Sequence, residues 1–271
     1  MSKKRAIKDF TEQNMPHNRP EVFKDILTTR FSTLISLGLL LLLFSLPSII
    51  VVLLSNQAIA SINKEEKLEA FLKLINTQNL LLIIALLILS IGLAGIYRII
   101  KLLVWQEGFL FWYDFKEGIK QNSKEFLITF LIIGLLNLSG QYIFLNTDID
   151  KAILLILIVV IAFFAPTIVF TLNQSTIYNL SYLGKTKNSF LIGWKNWYTS
   201  IPVVILNIIF IILPVFISNP TAYLIVLLMT PLLFGPLLIL FNTLYTHHYF
   251  DKYINRENFK EIYDKGIVRN E

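Results

Sequence analysis

The sequence predicts an all-α fold: a polytopic membrane helix bundle with six transmembrane helices and amphipathic helices at the membrane surface. Hydrophobic residues make up 55% of the 271-residue chain and charged residues only 15%, whereas about 25% of the residues of a soluble domain are charged. The charges are also missing from several long stretches of the chain. Each of these stretches has the length that one or two membrane-crossing helices need.

The first three spans follow from the uncharged runs in the N-terminal half. A charged side chain at the centre of a membrane helix costs roughly 2.5–3.5 kcal/mol, so a run of about 20 apolar residues without charges predicts a span. Residues 31–54 contain 17 Leu, Ile, Val or Phe residues and predict the first helix. The second helix is expected over residues 80–104, whose basic end can extend its side chains to the interface. The third is expected over residues 126–146.

The C-terminal half of the chain predicts three more spans. Residues 153–172 form the apolar part of the fourth. The next uncharged run has 55 residues, between Lys195 and Asp251, which is too long for one helix. Asn219 and Pro220 in its middle predict a turn, because Pro cannot continue a helix and Asn tolerates turn geometry. The fifth and sixth helices are therefore predicted over residues 198–217 and 221–245.

The distribution of basic residues predicts the orientation of the bundle. Of the 24 Lys and Arg residues, 20 fall in the N-terminal arm, in the connections after helices two and four, and in the C-terminal tail. Basic connections stay in the cytoplasm, so both termini are predicted to be cytoplasmic. The expected domains are a cytoplasmic arm over residues 1–30, a transmembrane domain over 31–246 and a cytoplasmic tail over 247–271.

Three connections carry amphipathic segments that are expected to lie at the membrane surface. After helix one, apolar residues recur at positions 68, 71, 72 and 75 among charged neighbours, which is the pattern of a surface helix. Residues 105–124 and 185–199 contain all four tryptophans, and Trp favours the headgroup region. We expect these two segments at the inner leaflet, where they either anchor the bundle or dock a cytoplasmic partner.

A weak repeat links the two tryptophan-bearing segments. It matches an aromatic, a glycine and a basic residue across 75 positions: Phe115, Gly118 and Lys120 with Phe190, Gly193 and Lys195. Each set precedes a helix that is predicted to run outward. A duplication that produced them would therefore be of the parallel kind.

The sequence carries no recognisable catalytic chemistry. It contains no cysteine, and no ionisable residue falls near the middle of a predicted span, where membrane enzymes and pumps place functional groups. Motifs of zinc proteases, serine hydrolases and phosphate-binding loops are absent. We expect a protein that is not an enzyme and has no catalytic, metal-binding or cofactor-binding residues. The basic residues are spread between the spans, so the lipid bilayer, and not nucleic acid, is the expected partner.

Neutral polar residues and prolines interrupt the predicted spans. Asn137 and Gln141 lie in helix three and Asn207 in helix five. Such side chains usually hydrogen-bond between helices, and the alternative is a polar cavity for a solute. Prolines occur in helices one, four, five and six, where each frees a backbone carbonyl and can kink the helix.

Residues 96–125, IYRIIKLLVWQEGFLFWYDFKEGIKQNSKE, resemble the signature stretch of the YesL-like family of bacterial membrane proteins. An apolar helix is followed by a Gly-aromatic segment, an Asp-Phe pair and a basic residue before Asn; the matching positions are Gly108, Phe111, Asp114, Phe115, Lys120 and Asn122. The end of the first helix, from Phe44 to Pro47, is also similar to the family. The resemblance implies a multi-pass protein of the bacterial cell membrane that is accessory to carbohydrate uptake, and it implies no catalytic residues.

The leading hypothesis for function is therefore a non-enzymatic accessory protein whose inner face docks a transporter subunit or a sensor. The docking residues expected are those of the aromatic and basic segment before helix three: Gly108, Trp112, Asp114, Phe115, Lys116, Lys120 and Asn122. The alternative is a small-solute permease, with a cavity bordered by Asn137, Gln141 and Asn207. The oligomeric state stays open.

Overall fold

The computed structural model describes residues 15–61, 67–146 and 151–268 of the chain. These residues are 86% helical and contain no strand, which confirms the all-α prediction. The α-helices are α1 (Arg19–Thr29), α2 (Phe31–Ser61), α3 (Lys67–Val104), α4 (Phe111–Asn146), α5 (Lys151–Ile177), α6 (Tyr182–Lys195), α7 (Trp197–Ile212), α8 (Pro220–Met229), α9 (Gly235–Phe250) and α10 (Arg256–Asn258).

Within the described residues, four helical segments are long and apolar enough to cross a membrane. They are Phe31–Ala58 in α2, Lys73–Val104 in α3, Phe111–Gln141 in α4 and the run Pro220–Asn258 from α8 to α10. They correspond to the first, second, third and sixth predicted spans. The fourth and fifth predicted spans correspond to α5 and to the shorter apolar helix α7, which are not among these four.

Two amphipathic segments are parts of longer helices, and the expectation that they form separate surface helices is wrong. Residues 67–75 are the first turns of α3, and residues 111–124 are the first turns of α4. The charged positions 64–66 of the first segment lie outside the described residues. Neither helix contains a proline to end it, so each continues beyond its apolar part. The 36 residues of α4 are about 54 Å long, against a hydrocarbon core of about 30 Å.

The third amphipathic segment does form a helix of its own, α6. Ser181 caps its start by accepting a hydrogen bond from the Gly184 N–H at 3.2 Å. At its end the amide of Asn196 donates to the carbonyl of Ile192 at 2.8 Å. A side chain that bonds back to the last turn competes with continuation of the helix, and α7 begins at the next residue, Trp197.

Two helices that follow basic connections, α4 and α6, pack closely against the helix before them. A Cβ added to Gly118 of α4 would lie 2.9 Å from the Cα of Gly95 in α3. A Cβ added to Gly193 of α6 would lie 3.3 Å from the Cβ of Pro166 in α5. The repeat of Gly118 and Gly193 therefore marks equivalent packing positions. A contact between helices that are distant in the sequence lies at the same end, where α1 packs against α9.

The two prolines of the last span distort the helix without ending it. A π-helical turn, Thr230–Phe234, joins α8 to α9 around Pro231. Pro236 has no N–H to offer to the carbonyl four residues earlier, that of Leu232. This carbonyl lies against Gly38 of α2, where a Cβ would collide with it. Glycine at position 38 therefore lets α2 approach the distorted turn closely.

We predict that Gly118→Ala destabilises the protein by about 1–3 kcal/mol, because the new Cβ meets the Gly95 backbone and an atom that cannot move away, the Cβ of Arg98 at 2.8 Å. Thermal unfolding of the purified protein in detergent measures this change.

The matched control is Gly140→Ala in the same helix, where no atom of the described residues outside its own helix lies within 4 Å of the added Cβ. Alanine is a better helix former than glycine, so this variant should be neutral or more stable by about 0.5–1 kcal/mol. Equal behaviour of the two variants would contradict the close α3–α4 crossing.

Candidate functional site

Four segments meet at one end of the bundle, which we call the basic end: residues 15–30, 98–125, 173–196 and 247–268. It contains every ion pair that the structure shows among the described residues. The predicted docking segment lies within it. The arm and tail that the sequence analysis placed at residues 1–30 and 247–271 also contribute to it.

An ion pair fixes the start of α4 on the end of α3. Asp114 Oδ1 accepts from Arg98 Nη2 at 3.2 Å and from Nε at 3.3 Å. Its other carboxylate oxygen accepts from the Leu110 N–H at 2.9 Å, just before α4 begins. Arg98 also donates to Gln121 at 2.7 Å. Because a carboxylate near a helix N-terminus is favourable, Asp114 both starts α4 and holds it against α3.

The seven predicted docking residues divide into a buried group and an exposed group. Asp114, Phe115 and Asn122 are buried. The ring of Phe115 lies 6.2 Å from that of Phe44 and occupies the space beside Gly95. These three side chains support the packing of α4 and are not available to a partner. The exposed group is Gly108, Trp112, Lys116 and Lys120.

The exposed side chains continue as one stripe along α4. Trp112, Lys116, Lys120 and Lys124 are all exposed and recur every four residues, so they share one face of the helix. We call these four residues the basic stripe. Beyond it the exposed residues of α4 become apolar, at Leu131, Ile132, Leu135 and Leu136.

A buried ion pair joins the described part of the N-terminal arm to the described part of the C-terminal tail. The sequence predicted both segments to be separate from the bundle. Arg19 Nη2 in α1 lies 2.6 Å from Asp251 Oδ2, and both side chains are buried. Arg19 also donates to the carbonyl of Lys265 at 2.9 Å, and the Val268 N–H donates to the carbonyl of Pro16 at 2.9 Å. The described parts of the arm and the tail are therefore packed parts of the basic end.

A cationic and aromatic cluster lies where the end of α3 meets the tail. His247 is buried and accepts at Nδ1 from the indole N–H of Trp105 at 3.2 Å. The ammonium groups of Lys101 and Lys265 lie 4.8 and 4.3 Å from the centre of the Trp105 ring. Lys101 donates to the carbonyl of Thr176 at 2.9 Å. These contacts connect α3, α5 and α9. The polar groups of the cluster therefore serve to hold these helices together.

The end of α5 is fixed to its neighbours by polar side chains. Gln174 donates to Ser189 of α6 at 2.9 Å. Tyr178 donates to Asn255 at 2.6 Å, and burial raises the pKa of Tyr178 above its ordinary value, which keeps the phenol protonated as a donor. The adjacent α6 is tied to α4 by Lys185, whose ammonium lies 2.7 and 2.8 Å from the carboxylate oxygens of Glu125.

The predicted cavity residues form hydrogen bonds between helices. Asn207 of α7 and Asn242 of α9 exchange two hydrogen bonds, at 3.0 and 2.8 Å. Asn137 and Gln141 of α4 both contact Asn79, a buried residue of α3, and Gln141 also donates to Asn137 at 3.4 Å. One side of each contact was expected from the sequence, whereas Asn79 and Asn242 were not.

The described residues offer no obvious chemical centre, and known proteins offer no guide. Within residues 15–61, 67–146 and 151–268, no three His, Asp or Glu side chains form a group that could hold a metal ion. Comparisons of the chain with protein-family models, with curated proteins and with solved structures find no match. The resemblance of residues 96–125 to the YesL-like family therefore stays a prediction.

We predict that Asn207→Leu destabilises the protein by about 1–3 kcal/mol, because it leaves the buried amide of Asn242 without its partner. The double variant Asn207→Leu/Asn242→Leu should recover most of this loss, since neither amide then remains unpaired. Thermal unfolding in detergent compares the wild type, Asn207→Leu, Asn242→Leu and the double variant. A double variant that is as unstable as the sum of the two single variants would show that the pair is not an interhelical contact.

Proposed function

We propose that the protein is a non-enzymatic, six-span protein of the bacterial cytoplasmic membrane that docks a transporter subunit or a sensor at its cytoplasmic face. The observation that carries the proposal is the basic stripe, Trp112, Lys116, Lys120 and Lys124, exposed on a helix whose start is fixed by the Arg98–Asp114 pair. The docking surface on α4 is this stripe, without the buried Asp114, Phe115 and Asn122.

The count of six spans is supported by α5 and by α6 with α7, which lie at the positions of the fourth and fifth predicted spans. In this arrangement α5 is the fourth span, and α6 with α7 forms a fifth helix that is bent at Asn196. Each outward helix would then begin with an amphipathic segment at the basic end: α1, the start of α4, and α6. The concentration of 20 of the 24 Lys and Arg residues in the N-terminal arm, the connections after the second and fourth predicted helices, and the C-terminal tail favours a cytoplasmic basic end.

The geometry of the basic stripe suits protein docking. Lys116 and Lys124 are eight residues apart, about 12 Å along α4. The apolar exposed residues that would contact lipid begin further along, at Leu131. The stripe would therefore extend beyond the hydrocarbon core toward the cytoplasm. Exposed Lys residues attract an acidic partner surface, and Trp residues often contribute strongly to binding.

Accessory function is favoured over the permease by the state of the polar side chains within the spans. Asn137, Gln141 and Asn207 hydrogen-bond to neighbouring helices, which is the usual role of amides in membrane helices. No observation in the described part of the chain favours a solute path through them. The resemblance to the YesL-like family adds carbohydrate uptake as the process in which the partner would act.

We predict that changing the three lysines of the basic stripe to Gln abolishes stoichiometric co-purification of the partner, because it removes the charges that attract it. A tagged copy is purified from native membranes in mild detergent and the bound proteins are identified by mass spectrometry. The control removes three exposed cations elsewhere at the basic end: Lys24→Gln/Arg30→Gln/Arg256→Gln.

The control variant should retain the partner at the wild-type ratio. A wild-type protein that purifies without any stoichiometric partner would contradict the docking function. A partner that is held equally well by the stripe variant would contradict the assignment of the stripe as its surface.

A further inference from the structure

The outward face of α6 differs from those of the two segments that have the same place in the fold. At the basic end, α1 exposes Glu21 and Lys24, and the start of α4 exposes lysines of the basic stripe. In contrast, α6 exposes the large apolar side chains Leu183, Leu191 and Trp194, with 79%, 54% and 56% of their surfaces accessible, together with Lys187 and Lys195. The outward face of α6 is therefore a mixed one, apolar and basic.

A groove of about 420 Å³ runs beside Leu191, between α6 and the helical turns that follow α9. Its walls are mostly aliphatic and aromatic, including Leu180, Leu191, Ile254 and Phe259. Two side-chain amides, from Asn188 and Asn258, also line it. We call this space the α6 groove. It combines apolar walls with hydrogen-bonding groups, as a site for an amphipathic molecule requires.

Two ammonium groups lie at one end of the α6 groove. Lys195 Nζ is 4.5 Å and Lys252 Nζ is 5.2 Å from the centre of the ring of Tyr253, a residue of the groove wall. The Tyr253 hydroxyl donates to Asn196 at 3.1 Å and so fixes the ring. Among the described residues, no carboxylate forms an ion pair with either lysine. The groove therefore ends in positive charge that suits an anion.

The position of α6 along α5 places the charged end of the groove at the membrane interface. Ser189 bonds to Gln174, and Gly193 lies against Pro166, so α6 runs back along α5. Its last turn reaches the apolar part of α5, predicted over residues 153–172. Exposed aromatic side chains surround this level: Trp194, Trp197 and Tyr198. Such side chains favour the headgroup region of a bilayer.

We propose that the α6 groove binds an anionic phospholipid of the leaflet in which the basic end lies. The phosphate lies between Lys195 and Lys252, and the amides of Asn188 and Asn258 serve the polar glycerol and ester groups. The aliphatic wall at Leu191 contacts the start of an acyl chain. Basic pockets between membrane helices are known to recognise such headgroups. The site is separate from the basic stripe and does not depend on a protein partner.

The experiment measures lipid retention by native mass spectrometry. The full-length protein is purified from nanodiscs of phosphatidylcholine that contain a minority of phosphatidylglycerol, and then diluted into lipid-free detergent. The wild type should retain one phosphatidylglycerol and no phosphatidylcholine. Lys195→Gln/Lys252→Gln should weaken retention by roughly 30-fold, five- to sixfold for each lost charge.

Two further variants separate a built site from general attraction to positive charge. Lys116→Gln/Lys120→Gln removes the same charge from the basic stripe and should retain lipid like the wild type. Asn188→Trp keeps both groove lysines but fills the groove, and it should lose the lipid. Thermal unfolding identifies any variant that has lost its fold, and Asn188→Gln replaces Asn188→Trp in that case, with a smaller loss of retention expected.

Four results would overturn the proposal. Equal retention of both lipids would show that charge does not select the ligand. Equal retention by the wild type and the groove variants would show that the lipid binds elsewhere. A photo-reactive side chain at position 188 that labels a protein in native membranes, or displacement of the lipid by inorganic phosphate alone, would assign the groove to a different occupant.

Discussion

The close crossing of α3 and α4 is the constraint on which the basic end depends. Gly95 and Gly118 let the two backbones approach, and the Arg98–Asp114 pair beside them fixes the start of α4. Where hydrophobic attraction between helices is weak, small residues and polar contacts hold a bundle together. A similar close contact recurs where Gly193 of α6 lies against α5. Where α1 meets α9, an ion pair takes the place of the glycine.

This packing determines which groups remain available for function. The carboxylates of Asp114 and Asp251 are used inside the basic end, where each holds an arginine. The cations left at the surface, such as those of the basic stripe and of the α6 groove, have no carboxylate partner among the described residues. The basic end therefore presents these cations outward, while the carboxylates of Asp114 and Asp251 are engaged inside. That asymmetry suits acidic or anionic partners, whether proteins or lipids.

The sequence predicted the helical class and the places of four helices that are long and apolar enough to cross a membrane, because uncharged apolar runs have one strong physical explanation. It could not predict that residues 111–124 continue into α4, since an amphipathic pattern is the same in a surface helix and in the protruding end of a span. Burial was equally hidden: Asp114 and Lys116 are neighbours in the docking segment, yet only Lys116 is exposed. The partners Asn79 and Asn242 could be found only from the three-dimensional contacts. Asn242 is a lone amide within an apolar run, and such an amide is expected to hydrogen-bond to another helix.

The most direct test of the account is the side of the membrane on which the basic end lies. The chain has no cysteine, so single substitutions can be labelled in cells with a membrane-impermeant maleimide: Lys24→Cys, Lys120→Cys and Lys187→Cys at the basic end, and Gln57→Cys and Ser218→Cys at the opposite end. The account predicts labelling of the last two in intact cells, and of the first three only after the membrane is permeabilised. Labelling of any basic-end cysteine in intact cells would contradict it.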